Sequence, residues 1–126
     1  MRPTRLIRCL FPLLLGLGLT TGCDRSSVPP KPITTAELPP ALEQAFAKAK
    51  PEIKELAGQI GASLRAQDFS TAYFGMQTLC GMSGLSREQG SIVTRGMLGM
   101  NTTLQTAQSH GDQKSADALR WQHANK

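Results

Sequence analysis

The side chains with the most distinctive chemistry in this sequence are sulfurs. Met76, Cys80, Met97 and Met100 place three thioethers and a thiol on two neighbouring segments. The step Met97-Leu98-Gly99-Met100 spaces two methionines three apart, which suits a soft ion such as Cu(I). These four residues are the candidate metal ligands, and they define one reading, a soft-metal (copper) handling protein. The competing use of the same residues is packing, because methionine fills irregular gaps in small cores. Met76, Met97 and Met100 fall in phase with the apolar residues around them, which favours packing. Other chemistries find no foothold. His110 and His123 are the only histidines, and neither has a Cys, Asp or Glu partner at a ligand spacing, so no zinc site is expected. No glycine-rich phosphate loop follows a strand, and Ser, His and Asp occur without any context that would make a triad. No catalytic residue and no cofactor is expected, and the protein reads as a non-enzyme.

The remaining cysteines belong to the N-terminus. Met1 to Arg8 is basic, Cys9 to Leu19 is apolar, and about eleven apolar residues are too few for a spanning helix, which needs about twenty. The stretch ends in Leu19-Thr20-Thr21-Gly22-Cys23. This resembles the lipobox of bacterial lipoproteins, with the leucine one position earlier than usual. The resemblance implies a signal peptide over residues 1–22 and lipidation of Cys23, with palmitate among the acyl chains, leaving Cys80 as the one free thiol. Asp24 resembles the inner-membrane retention signal of enterobacterial lipoproteins. The resemblance thus implies a lipid-anchored, periplasm-facing protein of a Gram-negative-type cell envelope, with inner and outer membrane both open. Residues 23–40 then read as a linker: Pro29, Pro30, Pro32, Pro39 and Pro40 stand among Ser, Thr and Lys. At about 3.1 Å per residue such a segment reaches roughly 50 Å.

Residues 41–126 read as a helical module. Leu42, Phe46, Ala49, Ile53, Leu56, Ile60 and Leu64 step by three or four, one face of a helix. Pro51 falls inside this stripe, so either one long helix is kinked there or Pro51 opens a second helix at its first turn. Asp68 is a good N-cap for a helix over about Phe69 to Met82. Ser86 and Gln89 have capping-box spacing and start another, carried by Val93, Met97, Met100, Leu104 and Ala107 and ended by Gly111. Asp112 caps a short last helix bearing Trp121, which serves as a lid on the core or as a contact with lipid headgroups or a partner. Interior glycines such as Gly75, Gly96 and Gly99 weaken these helices unless close packing compensates.

The segments Ala66-Gln67-Asp68-Phe69-Ser70-Thr71-Ala72 and His110-Gly111-Asp112-Gln113-Lys114-Ser115-Ala116 share one pattern: a helix end, a capping Asp and an Ala four residues later. This resembles the turn between the two helices of a tetratricopeptide repeat. The aspartates are 44 residues apart, whereas that family repeats every 34 residues. The fold class is therefore all-α, about four antiparallel helices in hairpins, stacked as tetratricopeptide-like pairs or closed as a four-helix bundle.

Composition excludes one further class of partner. The net charge of +5 shrinks to +2 once Arg2, Arg5 and Arg8 are set aside, leaving 11 basic against nine acidic residues, and no basic stripe remains for nucleic acid. The leading expectation is a membrane-anchored, non-enzymatic helical interaction module with a protein partner.

Overall fold

The structure is a computed structural model that describes residues 28–126; the signal segment and Cys23 lie outside the described residues. It is all-helical, with five helices: α1 (Leu38–Phe46), α2 (Pro51–Arg65), α3 (Phe69–Gly81), α4 (Arg87–Ser109) and α5 (Gln113–Ala124). Each helix packs against its chain neighbour, α1 also meets α4, and α5 also meets α3. The first four helices thus close into a ring, the arrangement of a four-helix bundle, and α5 lies across α3 and α4. Short connections force neighbours to run antiparallel.

Pro51 breaks the first stripe rather than kinking it. It occupies the first turn of α2, where its missing N–H would have had no partner. The two halves of the stripe then face one another, with Leu42, Phe46, Ile53, Ala57, Ile60 and Leu64 all buried. Tyr73 and Phe46 are the largest side chains with almost no exposure. Burial pushes the Tyr73 phenol up, and its oxygen accepts from Gln77 Nε2 at 2.9 Å. Phe69, by contrast, is only partly buried at the edge of this core.

The helix starts are built by side chains close in sequence. Asp68 accepts from the Thr71 backbone N–H at 3.3 Å, and Asp112 from that of Ser115 at 3.0 Å. Ser86 and Gln89 form a reciprocal capping box. The Gln89 side chain also donates to the Ala45 carbonyl at 3.0 Å, tying the start of α4 to the end of α1.

The two Asp turns are the same structure. The Asp68 N–H donates to the Ser63 carbonyl and the Gln67 N–H to that of Leu64; the Asp112 N–H donates to Ala107 and the Gly111 N–H to Gln108. This pair of bonds is a Schellman motif, which requires a left-handed residue just past the helix end. Gly111 fills that position with φ 89°, and Gln67 with φ 59°.

The folded body begins earlier than residue 41. Thr34 and Glu37 cap one another: the Glu37 N–H donates to Thr34 Oγ1, while the Thr34 N–H and hydroxyl donate to Glu37 Oε2. The turn so started runs into α1, whose first turn holds proline without loss of a helical hydrogen bond. Upstream, the Ile33 N–H donates to the Arg95 carbonyl at 3.0 Å, and Arg95 Nε donates to the Lys31 carbonyl at 2.8 Å. Ile33 is buried. Of the residues expected to belong to a linker, 31–37 are therefore a strap against α4 and 38–40 the first turn of α1. Only Val28, Pro29 and Pro30 precede the strap among the described residues, and all three are exposed.

Close approach explains several helical glycines. A Cβ on Gly99 would stand 1.8 Å from the Ile33 carbonyl oxygen, and one on Gly96 would stand 2.7 Å from Leu38 Cδ1.

Candidate functional site

Three places bring together residues with chemical potential. The first is the set of sulfurs. Met76 and Met100 are wholly buried in the core, Met97 is partly buried, and Cys80 is exposed at the end of α3. The structure thus divides the four candidate ligands between interior and surface. Met76 does what its place in the apolar stripe predicts, with its terminal methyl against Gly96. Cys80 and Met97 do meet, lining a shallow groove of about 300 Å³ with Thr94, Leu98, Asn101 and Gln122. Among the described residues no group of three His, Cys, Asp or Glu side chains is placed to hold a metal. His110 ends α4 and His123 lies in the last turn of α5, both exposed.

The second place is a cleft of about 500 Å³ where the two Asp turns come side by side, lined by Gln67, Asp68, Phe69, Ala107, Asp112 and Lys114. Its carboxylates are engaged. Asp68 is held below its ordinary pKa by the Thr71 hydroxyl and backbone N–H, with help from Lys114. Asp112 is held low by the Ser115 hydroxyl and by backbone N–H groups, again with help from Lys114. Two carboxylates locked as acceptors at helix starts neither exchange protons near neutrality nor leave those helix ends free for an anion. The cleft is a structural joint.

The third place is a surface built from three helices. Phe74 on α3, Leu98 on α4 and Trp121 on α5 are 38%, 41% and 45% exposed. The Phe74 and Trp121 rings stand edge to face, with centroids 5.3 Å apart. Leu98 lines the groove of Cys80 and Met97, and Gln122 continues that groove onto α5 beside Trp121. Aromatic and methionine side chains half in water are what interface centres use, because they offer large contact areas with few torsions to freeze. Local sequence gives each helix its reason to be there: the cap at Asp68 sets the phase of α3, the box at Ser86 that of α4, and the cap at Asp112 that of α5.

Charge sets this surface apart. From Phe69 to Ser86, and again from Gly96 to Gly111, the chain carries no Asp, Glu, Lys or Arg. All of α3 and α4 from Gly96 onward therefore present only apolar and neutral polar side chains, such as Thr78, Asn101, Thr102 and Gln105, whereas on α5 Trp121 stands beside the exposed Arg120. Elsewhere the surface is mixed, as in the Arg65–Glu43 pair joining α2 to α1 and the Arg120–Asp117 pair on α5. The signal for this surface was present in the sequence as two uncharged runs.

No protein-family model matches this chain, and neither a curated protein nor a solved structure is significantly similar to it. Among the described residues no helix is long and apolar enough to cross a membrane.

Proposed function

We propose that this protein is a lipid-anchored, non-enzymatic interaction module of a bacterial cell envelope, attached through Cys23 and facing the periplasm. The observation that carries the interaction reading is the half-exposed patch of Phe74, Leu98 and Trp121, whose α3 and α4 part lies in two runs without charged residues. Half-exposed aromatic and aliphatic side chains are stabilised by covering them, and the uncharged α3 and α4 part of the patch is covered with little desolvation penalty. The anchoring reading is supported by the basic, apolar and small-residue run that ends at Cys23. Two or more acyl chains make membrane attachment stable, since each buried methylene contributes about 0.8 kcal/mol.

Both parts are open to direct tests on the full-length chain. Labelled palmitate should enter the protein and be lost in Cys23→Ala; unchanged labelling overturns the anchor. A photoreactive residue replacing Leu98 should give a discrete protein adduct in intact cells, whereas one replacing the exposed Gln59 on α2 should not. No adduct from Leu98 overturns the interaction reading.

A further inference from the structure

We propose that residues 31–37 are a releasable latch, which gives the protein two reaches from its membrane: a short one with the strap seated on α4 and a long one with the strap lifted. The proposal rests on the anchor reading above and adds how the attachment is regulated.

The strap is held at few points. Ile33 is its one buried side chain; Lys31, Pro32, Thr34, Ala36 and Glu37 are exposed, and Thr35 is half-buried. Two hydrogen bonds join it to α4, Arg95 Nε donating to the Lys31 carbonyl and the Ile33 N–H donating to that of Arg95. Open hollows flank it on both sides, one of about 270 Å³ beside Ala41, Ile92 and Arg95, the other of about 290 Å³ beside Gly99, Thr102 and Thr103. Thr34 and Glu37 bond one another rather than α4. A segment that buries so little opens on its own, ahead of the core it lies on.

Release that begins at Lys31 has a defined end. Leu38, Leu42 and Phe46 on α1 are all buried, so α1 stays with the bundle when the strap leaves. The seat is equally defined. The Ile33 carbonyl reaches α4 only because Gly99 has no side chain there, and Arg95 and Thr103, about one turn to either side, offer no such gap. The strap is therefore seated in one place or not seated.

Topology makes tension the natural trigger. The chain toward Cys23 leaves the folded body at Lys31, so a pull from that side loads the Lys31–Arg95 bond first and the Ile33–Arg95 bond next, singly rather than together. Moving the point of attachment from Lys31 to Glu37 adds six residues to the free tether, about 20 Å of contour. A partner within the short reach would be met with the strap seated, and one beyond it would be met by lifting the strap.

The test pulls single full-length chains in mild detergent, with Cys9→Ser, Cys23→Ser and Cys80→Ser, and with handles on Val28→Cys and Lys126→Cys. A reversible lengthening of about 20 Å should precede bundle unfolding, at a lower force. Ile33→Ala should lower the force of that first step and leave the second in place. Gly99→Ala should remove the first step, whereas Gly58→Ala, on α2, should leave it unchanged. Strap and bundle coming apart in a single step, or a first step indifferent to both Ile33→Ala and Gly99→Ala, overturns the latch and leaves the anchor reading standing. Absence of palmitate on Cys23 overturns the anchor reading and with it the two reaches, whatever the force trace shows.

Discussion

The carbonyl of Ile33 lies against the α-carbon of Gly99 so closely that a methyl group on Gly99 would stand 1.8 Å from the oxygen. Backbone in an extended strap and backbone in the middle of a helix touch here with no side chain between them. A clash with backbone is not relieved by a rotamer change, so Gly99→Ala must lift the strap. That exposes Ile33 and breaks its bond to Arg95, and a destabilisation of about 2 to 4 kcal/mol follows. Gly58, which has open space around it in α2, provides the contrast. Gly58→Ala should stabilise by about 1 kcal/mol through helix propensity alone. Urea midpoints of a fragment beginning at Val28 check both, and a neutral Gly99→Ala would show that the strap does not seat on α4.

The two Schellman turns predict opposite responses to glycine. Gln67 holds a left-handed backbone that L side chains adopt at a penalty of about 1 kcal/mol, so Gln67→Gly should raise stability by about 0.5 to 1 kcal/mol. Gly111→Ala should lower it by about 1 kcal/mol at the matching position. Thermal melts of the same fragment decide the matter. A loss of stability in Gln67→Gly would mean that its side chain contributes more than its backbone costs.

Acid should loosen the helix starts. Asp68, Asp112 and Glu37 are all held below their ordinary pKa values, chiefly by hydroxyl donors from Thr71, Ser115 and Thr34. A carboxyl whose folded pKa is depressed contributes stability above its unfolded value, near 4, and that contribution is lost as pH falls through the folded value. Denaturation midpoints should therefore drop as pH is lowered from about 5 to below 4. Asn caps a helix as well as Asp does without titrating, so the double variant Asp68→Asn, Asp112→Asn should show a flatter acid limb. An identical acid limb in the double variant would exclude these caps as its source.

The elements that sequence reveals here are those made by neighbours in the chain. Asp68, Ser86 with Gln89, and Asp112 each bond a backbone three residues away, so their helices are visible before any tertiary contact is known. Thr34 with Glu37 is the same kind of signal, the capping-box spacing with an acidic third residue, but it sits among prolines whose composition speaks for a linker. What makes Ile33 part of the core is Gly99, far along the chain, and local patterns carry no trace of that meeting. Two uncharged runs hint at the exposed apolar patch, but its membership is hidden for a related reason. Phe74, Leu98 and Trp121 belong to three helices, and the bundle decides that they share a side and stay half exposed. The methionines show the limit from the other direction: periodicity places Met76 and Met100 in the core, yet Cys80, four residues after Met76 on α3, is exposed at the helix end.

The strap also sets the length of the leash. If Cys23 carries the lipid and the strap is seated, only eight residues of chain separate Cys23 from Lys31, where the Arg95 side chain takes hold. Even fully extended, eight residues cover less than about 30 Å, under half of what a segment through Pro40 would cover at the same rise per residue. The bundle would hover within roughly its own diameter of the bilayer, like a buoy on a short chain. Whatever it meets would have to lie in that thin layer.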